Sequence, residues 1–263
     1  MDINLTDKKA FVCGSTQGIG RAAAIELANL GASIVLLARN EDSLKQVKDE
    51  LNKSQNQRHD FIVADFSKPD ELKIKVAEYL EQNNQPAHIL INNTGGPAAG
   101  KAIDADVEEF INAFQNHLIC NQVLLQSLVD GMKSEKYGRI VNVISTSVKQ
   151  PIPNLGVSNT IRGAVASWAK TLAGELGEFG ITVNNVLPGF TMTQRLQSII
   201  ENNARKSGAT TKEIEMKMQN ETPAKRFAEV SEVANAIAFL ASPAASYING
   251  VNLPVDGGRT GCL

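Results

Sequence analysis

Short apolar runs alternate along the chain with longer stretches in which apolar side chains return every three to four positions. Lys9–Cys13, Ser33–Ala38, Phe61–Ala64, His88–Asn92, Gly138–Ile144, Thr182–Leu187 and Val251–Val255 are the short runs, mostly β-branched or aliphatic. Apolarity that is continuous along a run predicts parallel strands covered on both faces. Between the first two runs, Ile19, Ala23, Leu27 and Leu30 recur at helical spacing, and Gly31 follows as a stop signal. Asn40 is placed to cap a second helix and Pro69 to open a third. Periodic stretches over Asp106–Met132 and Ser158–Phe179 predict two long helices, the second closed by Gly180.

Strands that alternate with helices through right-handed crossovers make an α/β fold, a single Rossmann-type doubly wound parallel sheet of about seven strands flanked by helices. No stretch rich in Pro, Gly or Ser marks a linker and no repeat is visible, so 1–263 reads as one domain. One segment breaks the pattern. Thr191–Thr222 is polar yet lies between two core strands, as a lid over substrate or a solvated helix pair. Its departure directly after Pro188-Gly189 favours a helical lid within 191–222.

Composition narrows the function. The formal net charge of -2 leaves no electrostatic footprint for nucleic acid or an anionic membrane surface. No apolar run approaches the roughly 20 residues that span a bilayer, and residues 1–10 hold no apolar signal core, which points to a cytoplasmic protein. Cys13, Cys120 and Cys262 are odd in number and scattered, hence free thiols in a reducing compartment. Cys13 touches a glycine-rich turn but reads better as a small residue at a buried strand end than as a reactive thiol. Three histidines without cysteine pairs leave no metal-ligand spacing.

The motifs that carry chemistry all fall at or just beyond strand carboxyl ends, where doubly wound sheets bind ligands. Gly14-Ser15-Thr16-Gln17-Gly18-Ile19-Gly20 follows the first strand and opens the first helix. Gly14 allows the tight turn, Gly18 lets backbone approach a pyrophosphate, and Gly20 lets helix and strand pack closely. The helix N-terminus then offers free N–H groups to phosphates. The second strand ends Leu37-Ala38-Arg39-Asn40, with no acidic residue to hold both ribose hydroxyls of NAD. Arg39 instead presents a planar fork suited to a 2′-phosphate, which favours NADP(H) over NAD(H). Against this, Arg39 also reads as a solvated residue before a helix cap, its charge tempered by Glu41.

Together with Asn92-Asn93-Thr94-Gly95, Ser145 and Pro188-Gly189, these marks resemble the short-chain dehydrogenase/reductase family across nearly the whole chain. The resemblance implies a nicotinamide cofactor held by Gly14, Ser15, Gly18, Ile19 and Gly20. It further implies Asp65 at the adenine, Asn92 and Gly95 on the adenosine side, Pro188 and Gly189 beside the nicotinamide, and Thr191 and Thr193 at its amide. Cys13 and Thr94 stand where the family often has Thr and Ala.

In the family a Tyr phenol exchanges the proton with the substrate oxygen. A Lys one helical turn later lowers the phenol's pKa and binds the nicotinamide ribose. A Ser thirteen residues before the Tyr bonds the substrate oxygen, and an Asn in the preceding long helix holds a water. On this chain the Ser is Ser145, the Tyr position is Ser158, the Lys position is Arg162, and helix register puts the Asn position at His117. Asn116 and Asn121 substitute for that Asn only imperfectly on a regular helix. An aliphatic hydroxyl is a far poorer acid than a phenol, and Ser158 is too short to reach a Tyr oxygen's place. Arg162 keeps the charge and can bind ribose hydroxyls and the cofactor, but a guanidinium does not pass a proton on. Tyr79, Tyr137 and Tyr247 lie outside this helix. His117 titrates near neutrality in principle, though a helix histidine satisfied by a neighbouring group is the simpler reading. Ser145 reads as catalytic or as a cap for the turn that follows it.

The leading expectation is an NADP(H)-dependent oxidoreductase acting on a small-molecule carbonyl or alcohol, with His117, Ser145 or water replacing the Tyr. The alternative is a nucleotide-binding protein without redox chemistry, a sensor or protein partner. Redox-neutral halohydrin dehalogenases carry Arg for Lys but keep the Tyr and lose the glycine turn, the reverse of this chain. Overall similarity points to the 3-oxoacyl-carrier-protein-reductase-like subgroup, although no residue specifies an acyl carrier partner. The family's habit of pairing its two long helices between subunits implies a homotetramer or dimer.

Overall fold

The computed structural model describes residues 1–83 and 85–262. Its strands β1 (Lys9–Cys13), β2 (Ser33–Ala38), β3 (Asp60–Val63), β4 (Ile89–Asn92), β5 (Gly138–Val143), β6 (Ile181–Pro188) and β7 (Asn252–Val255) form one sheet. The order is β3-β2-β1-β4-β5-β6-β7, and every pairing is parallel. From β1 the chain builds outward through β2 and β3, then returns to lay β4 against the other edge of β1. The crevice between β1 and β4 is therefore where strand order reverses.

Alternate residues of each strand serve two cores. Ala10, Val12, Ile34, Leu36, Ile89 and Ile91 pack on the face covered by α1 (Gly18–Asn29), α2 (Glu41–Glu50) and α9 (Val230–Ala241). Phe11, Cys13, Val35, Leu37, Leu90 and Ile140 pack on the face covered by α3 (Pro69–Gln82), α5 (Cys120–Ser134) and α6 (Gly156–Leu176). Burial on both faces is why the strands lack polar alternation. No helix among the described residues is long and apolar enough to cross a membrane.

Several element ends differ from the sequence expectation. β4 starts after His88, whose N–H donates to the Lys9 carbonyl and whose carbonyl accepts the Arg139 N–H, each at 2.9 Å, while its Nδ1 accepts the Lys9 N–H at 3.1 Å. α6 starts two residues early, at Gly156, whose missing side chain admits the Ala102 backbone; a Cβ there would lie 2.3 Å from the Ala102 nitrogen. The stretch expected as one regular helix over Asp106–Met132 is α4 (Val107–Phe114), a π-helical turn at Gln115–Ile119, and α5. The polar segment is a helix pair, α7 (Gln194–Ser207) and α8 (Thr211–Asn220), joined through Gly208 at φ 74. Leu196, Ile200, Met218 and Phe227 give it a small apolar cluster of its own. Its base is tied down where the Ala228 N–H donates to Phe190 and the Met192 N–H to Ala228, both at 2.8 Å.

A chain of asparagine amides crosses the sheet near its carboxyl edge. Asn92 Nδ2 donates to Asn142 Oδ1 (2.8 Å), Asn142 Nδ2 to Asn185 Oδ1 (2.9 Å), and Asn185 Nδ2 to Asn252 Oδ1 (2.8 Å). Each pair is in register on neighbouring strands. Buried amides are costly unless bonded; here each inner amide both donates and accepts, which pins the register of β4 through β7.

Candidate active site

A cleft of about 1330 Å³ opens at the carboxyl ends of β1, β4, β5 and β6. Its floor is the turn after β1. Gly14 has φ 58, and a Cβ on it would lie 2.3 Å from the Asn93 carbonyl oxygen. A Cβ on Gly20 would lie 2.2 Å from the Gly14 oxygen. Asn93 Nδ2 donates to the Cys13 and Gly14 carbonyls, each at 3.3 Å, and so staples the turn to the end of β4. Gly18, at φ 55, and Ile19 line the cleft.

The first turn of α1 has no side-chain cap; the side chain of Gln17, which precedes it, accepts no N–H. By contrast Asn40 caps α2, accepting from the Ser43 N–H at 2.8 Å, and Thr193 caps α7, accepting from Leu196 at 3.2 Å. The free N–H groups of α1 thus open onto the cleft, and a Cβ at Gly18 would meet nothing closer than the Thr193 methyl at 3.4 Å. This cradle fits the diphosphate of a dinucleotide.

At one end of the cleft lie Arg39 and Asp65. Asp65 accepts the Ser67 N–H at 2.9 Å, and that bond is the main reason its carboxyl is held below the ordinary range. Arg39 makes no hydrogen bond or salt bridge with the described residues. Glu41 does not compensate it, being paired with Lys45 at 2.8 Å.

At the other end stand Ser145, Ser158 and Arg162. Ser145 Oγ accepts the Ser147 N–H at 3.1 Å, so it caps the turn and still has its own proton to donate. Ser158 is half-buried in the first turn of α6. Arg162 is buried, and its guanidinium reaches the Val143 and Thr94 carbonyls at 3.4 Å each. Burial, then the charge of Arg195, pushes its pKa down to about 10, which leaves it protonated at neutral pH. None of the three tyrosines lines the cleft; Tyr137, for one, donates its hydroxyl to the Ala241 carbonyl at 2.8 Å. Pro188, Gly189, Thr191, Thr193 and Gly95 complete the wall. The Thr191 and Thr193 hydroxyls donate to the Gly189 and Thr191 carbonyls, each at 3.3 Å.

Four expected site residues stand back from this surface. Ser15 is fully buried, its hydroxyl on the Leu37 carbonyl at 3.4 Å. Gly20 acts by close packing, and the Asn92 side chain belongs to the amide chain across the sheet. His117 is buried within the π-helical turn, where its Nδ1 shares a hydrogen bond with the Thr94 hydroxyl. Burial, followed by the charges of Arg162 and Arg195, depresses its pKa to about 2, so it stays neutral through the physiological range. Two of the residues read as departures from the resembling family, Thr94 and His117, thus touch each other. Asn116 lines the cleft instead, because the widened turn rotates the positions around it.

Two cleft residues escaped the sequence reading. Asn93 was legible only as part of its motif, since alternation along β4 separates its role from that of Asn92. Arg195 bonds Gly96 and Pro97 far away in the chain, and nothing local to it signals that contact.

Residues 14–260 match the family model described as enoyl-(acyl carrier protein) reductase. The NADPH-dependent reductase BacG of Bacillus subtilis is 28% identical over 97% of this chain and 98% of its own length. Glucose 1-dehydrogenase of Gluconobacter oxydans is 35% identical, covering 96% of this chain and 92% of that protein. The crystal structure of L-sorbose reductase from Gluconobacter frateurii, complexed with NADPH and L-sorbose, superposes with a TM-score of 0.93 at 30% identity, covering 100% of both chains.

The depressed pKa of His117 has a consequence for stability. With an ordinary value of 6.5 and a folded value of about 2, the unfolded chain binds this proton first as pH falls. The stability held by the neutral ring is complete above pH 6.5 and drains progressively toward pH 2. His117→Asn is expected to flatten the acid decline between about pH 6 and 4 by up to about 1.4 kcal/mol per pH unit. Urea unfolding across that range measures it, and identical slopes for the two proteins contradict it.

Proposed function

The chain belongs to the short-chain dehydrogenase/reductase family of oxidoreductases, and from that premise we propose that it uses NADP(H) to interconvert a carbonyl and an alcohol on a small molecule. The observation that carries this reading is the uncapped first turn of α1, open onto the cleft that Arg39 also lines without a salt bridge to any described residue. The first would hold the diphosphate and the second the 2′-phosphate. BacG, described as NADPH-dependent, and the sorbose reductase solved with NADPH support the preference. Three free thiols suit a reducing, cytoplasmic setting.

Bound there, the cofactor supplies a hydride to the carbonyl carbon. The chain's own residues then manage the oxygen. Ser145 donates a hydrogen bond to it, and Arg162, charged and shielded from water, stabilises its developing negative charge. The guanidinium keeps its protons, so the proton that completes the alcohol comes from water at the cleft mouth. This is electrostatic assistance without a tuned general acid, which costs about 10² to 10⁴ in rate relative to one. The helix pair α7–α8 acts as the lid. A binding protein without redox chemistry is the competing reading, favoured by the absence of a phenol in the cleft.

A homo-oligomer is part of the proposal. Val107, Ile111 and Phe114 form an exposed apolar stripe on α4, 72%, 45% and 40% accessible. Such a stripe on a soluble helix calls for a partner surface.

Fluorescence titration is expected to show tighter binding of NADPH than NADH. Arg39→Ala should weaken NADPH by about 10- to 100-fold and spare NADH, as loss of a charge-assisted pair does. Absence of binding by either coenzyme removes both readings. Ser158→Tyr with Arg162→Lys should raise kcat on a ketone panel by about 10² to 10⁴, and no gain would show that proton donation does not limit turnover. Static light scattering should give a dimer or tetramer that Ile111→Glu dissociates; a monomeric wild type rejects the oligomer.

A further inference from the structure

Two guanidinium groups meet at the substrate end of the cleft with no carboxylate beside them. Arg162 enters from α6 and is 7% exposed. Arg195, in the first turn of α7, reaches across to the loop after β4. Its Nη1 donates to the Gly96 carbonyl at 3.0 Å and its Nη2 to the Pro97 carbonyl at 2.7 Å. The Nη2 atoms of Arg195 and Arg162 lie 3.4 and 3.7 Å from the point where a side chain on Gly96 would begin. Glycine at that position leaves a gap walled by two cations.

The hydrogen-bond partners of both arginines are neutral backbone carbonyls. Neither takes part in a salt bridge among the described residues, whereas Arg21 and Arg259 at the same cleft pair with Glu50 and Glu221. The cleft's other carboxylates, Glu26 and Asp65, sit on α1 and just beyond β3, away from this gap. Two like charges in a partly dry site repel each other, and an anion between them turns that repulsion into two attractive pairs. Gly96, Arg162 and Arg195 line the same cleft as Ser145 and Ser158, and Ser158 stands one helical turn before Arg162 on α6.

We infer that Arg195 and Arg162 recognise a carboxylate on the substrate, which makes the substrate a small oxo acid or its hydroxy acid. The inference rests on the carbonyl-reducing reading above. Arg195 is the specificity residue, because Arg162 also serves the reacting oxygen. A guanidinium on the first turn of the lid further means that the substrate's charge is read where the lid meets the cleft.

The test is calorimetric titration of the protein loaded with NADP⁺, so that no turnover is needed. The probes are 4-phenyl-2-oxobutanoate and its ethyl ester, the same ketone with and without the charge. The acid is expected to bind at least about tenfold more tightly than the ester, as a charge-assisted pair provides. Arg195→Gln should abolish that ratio and Arg195→Lys should retain part of it, with NADP⁺ affinity kept in both. Loss of the lid contact alone would weaken acid and ester together and leave the ratio standing, and that result overturns the inference. So does equal affinity for the two probes in the wild type, or failure of the acid to bind; should Arg195→Gln not fold, the wild-type ratio and the Lys variant decide. Failure of NADP⁺ itself to bind would instead sink the cofactor reading, and this inference with it.

Discussion

The close approach of Gly14, Gly20 and Asn93 is the constraint on which the site depends. Any Cβ at either glycine would collide with backbone, and the Asn93 amide fills the space they leave by bonding two carbonyls of the turn. That contact joins the end of β1 to the end of β4 where strand order reverses. It also aims the uncapped turn of α1 into the cleft. The amide chain from Asn92 to Asn252 extends the same fixation outward, holding β5, β6 and β7 in register behind the residues they carry. Ser145 follows β5 and Pro188-Gly189 ends β6, so sheet register sets the distance between the two ends of the cleft.

Charge is distributed unevenly over this frame. On the rest of the surface, cations such as Lys45, Lys68 and Arg226 sit beside carboxylates in exposed pairs that are worth little individually. Within the cleft, Arg39, Arg162 and Arg195 have no such partner. Unpaired cations in a concave, partly dry surface are poor for stability and good for binding anions, since the missing counter-charge arrives with the ligand. Burial first, and then the charges of Arg162 and Arg195, keep His117 neutral.

Strand and helix periodicity made the sheet legible before any coordinates, because burial on both faces writes itself into each short segment. β1 and β2 match the sequence expectation at both ends. The early start of α6 has a tertiary cause: the Ala102 backbone crosses at Gly156, where a side chain would collide with it. The glycine-rich end of the cleft was legible from residues whose requirement is local and steric. The end lined by Ser145, Ser158 and Arg162 was legible only as a set of departures from the resembling family. Thr94 and His117 each look like an isolated oddity in sequence, and only folding shows them bonded to one another.

The amino-acid order by itself determined the parallel sheet and the place of the cleft at its carboxyl edge. These follow from periods of two to four residues and from steric demands at single positions. Tertiary structure alone decided that His117 is sealed in a π-helical turn, that Asn93 and not Asn92 faces the cleft, and that Arg195 stands opposite Arg162. Such contacts depend on strand register and helix phase, and one extra residue in a turn rotates every side chain beyond it.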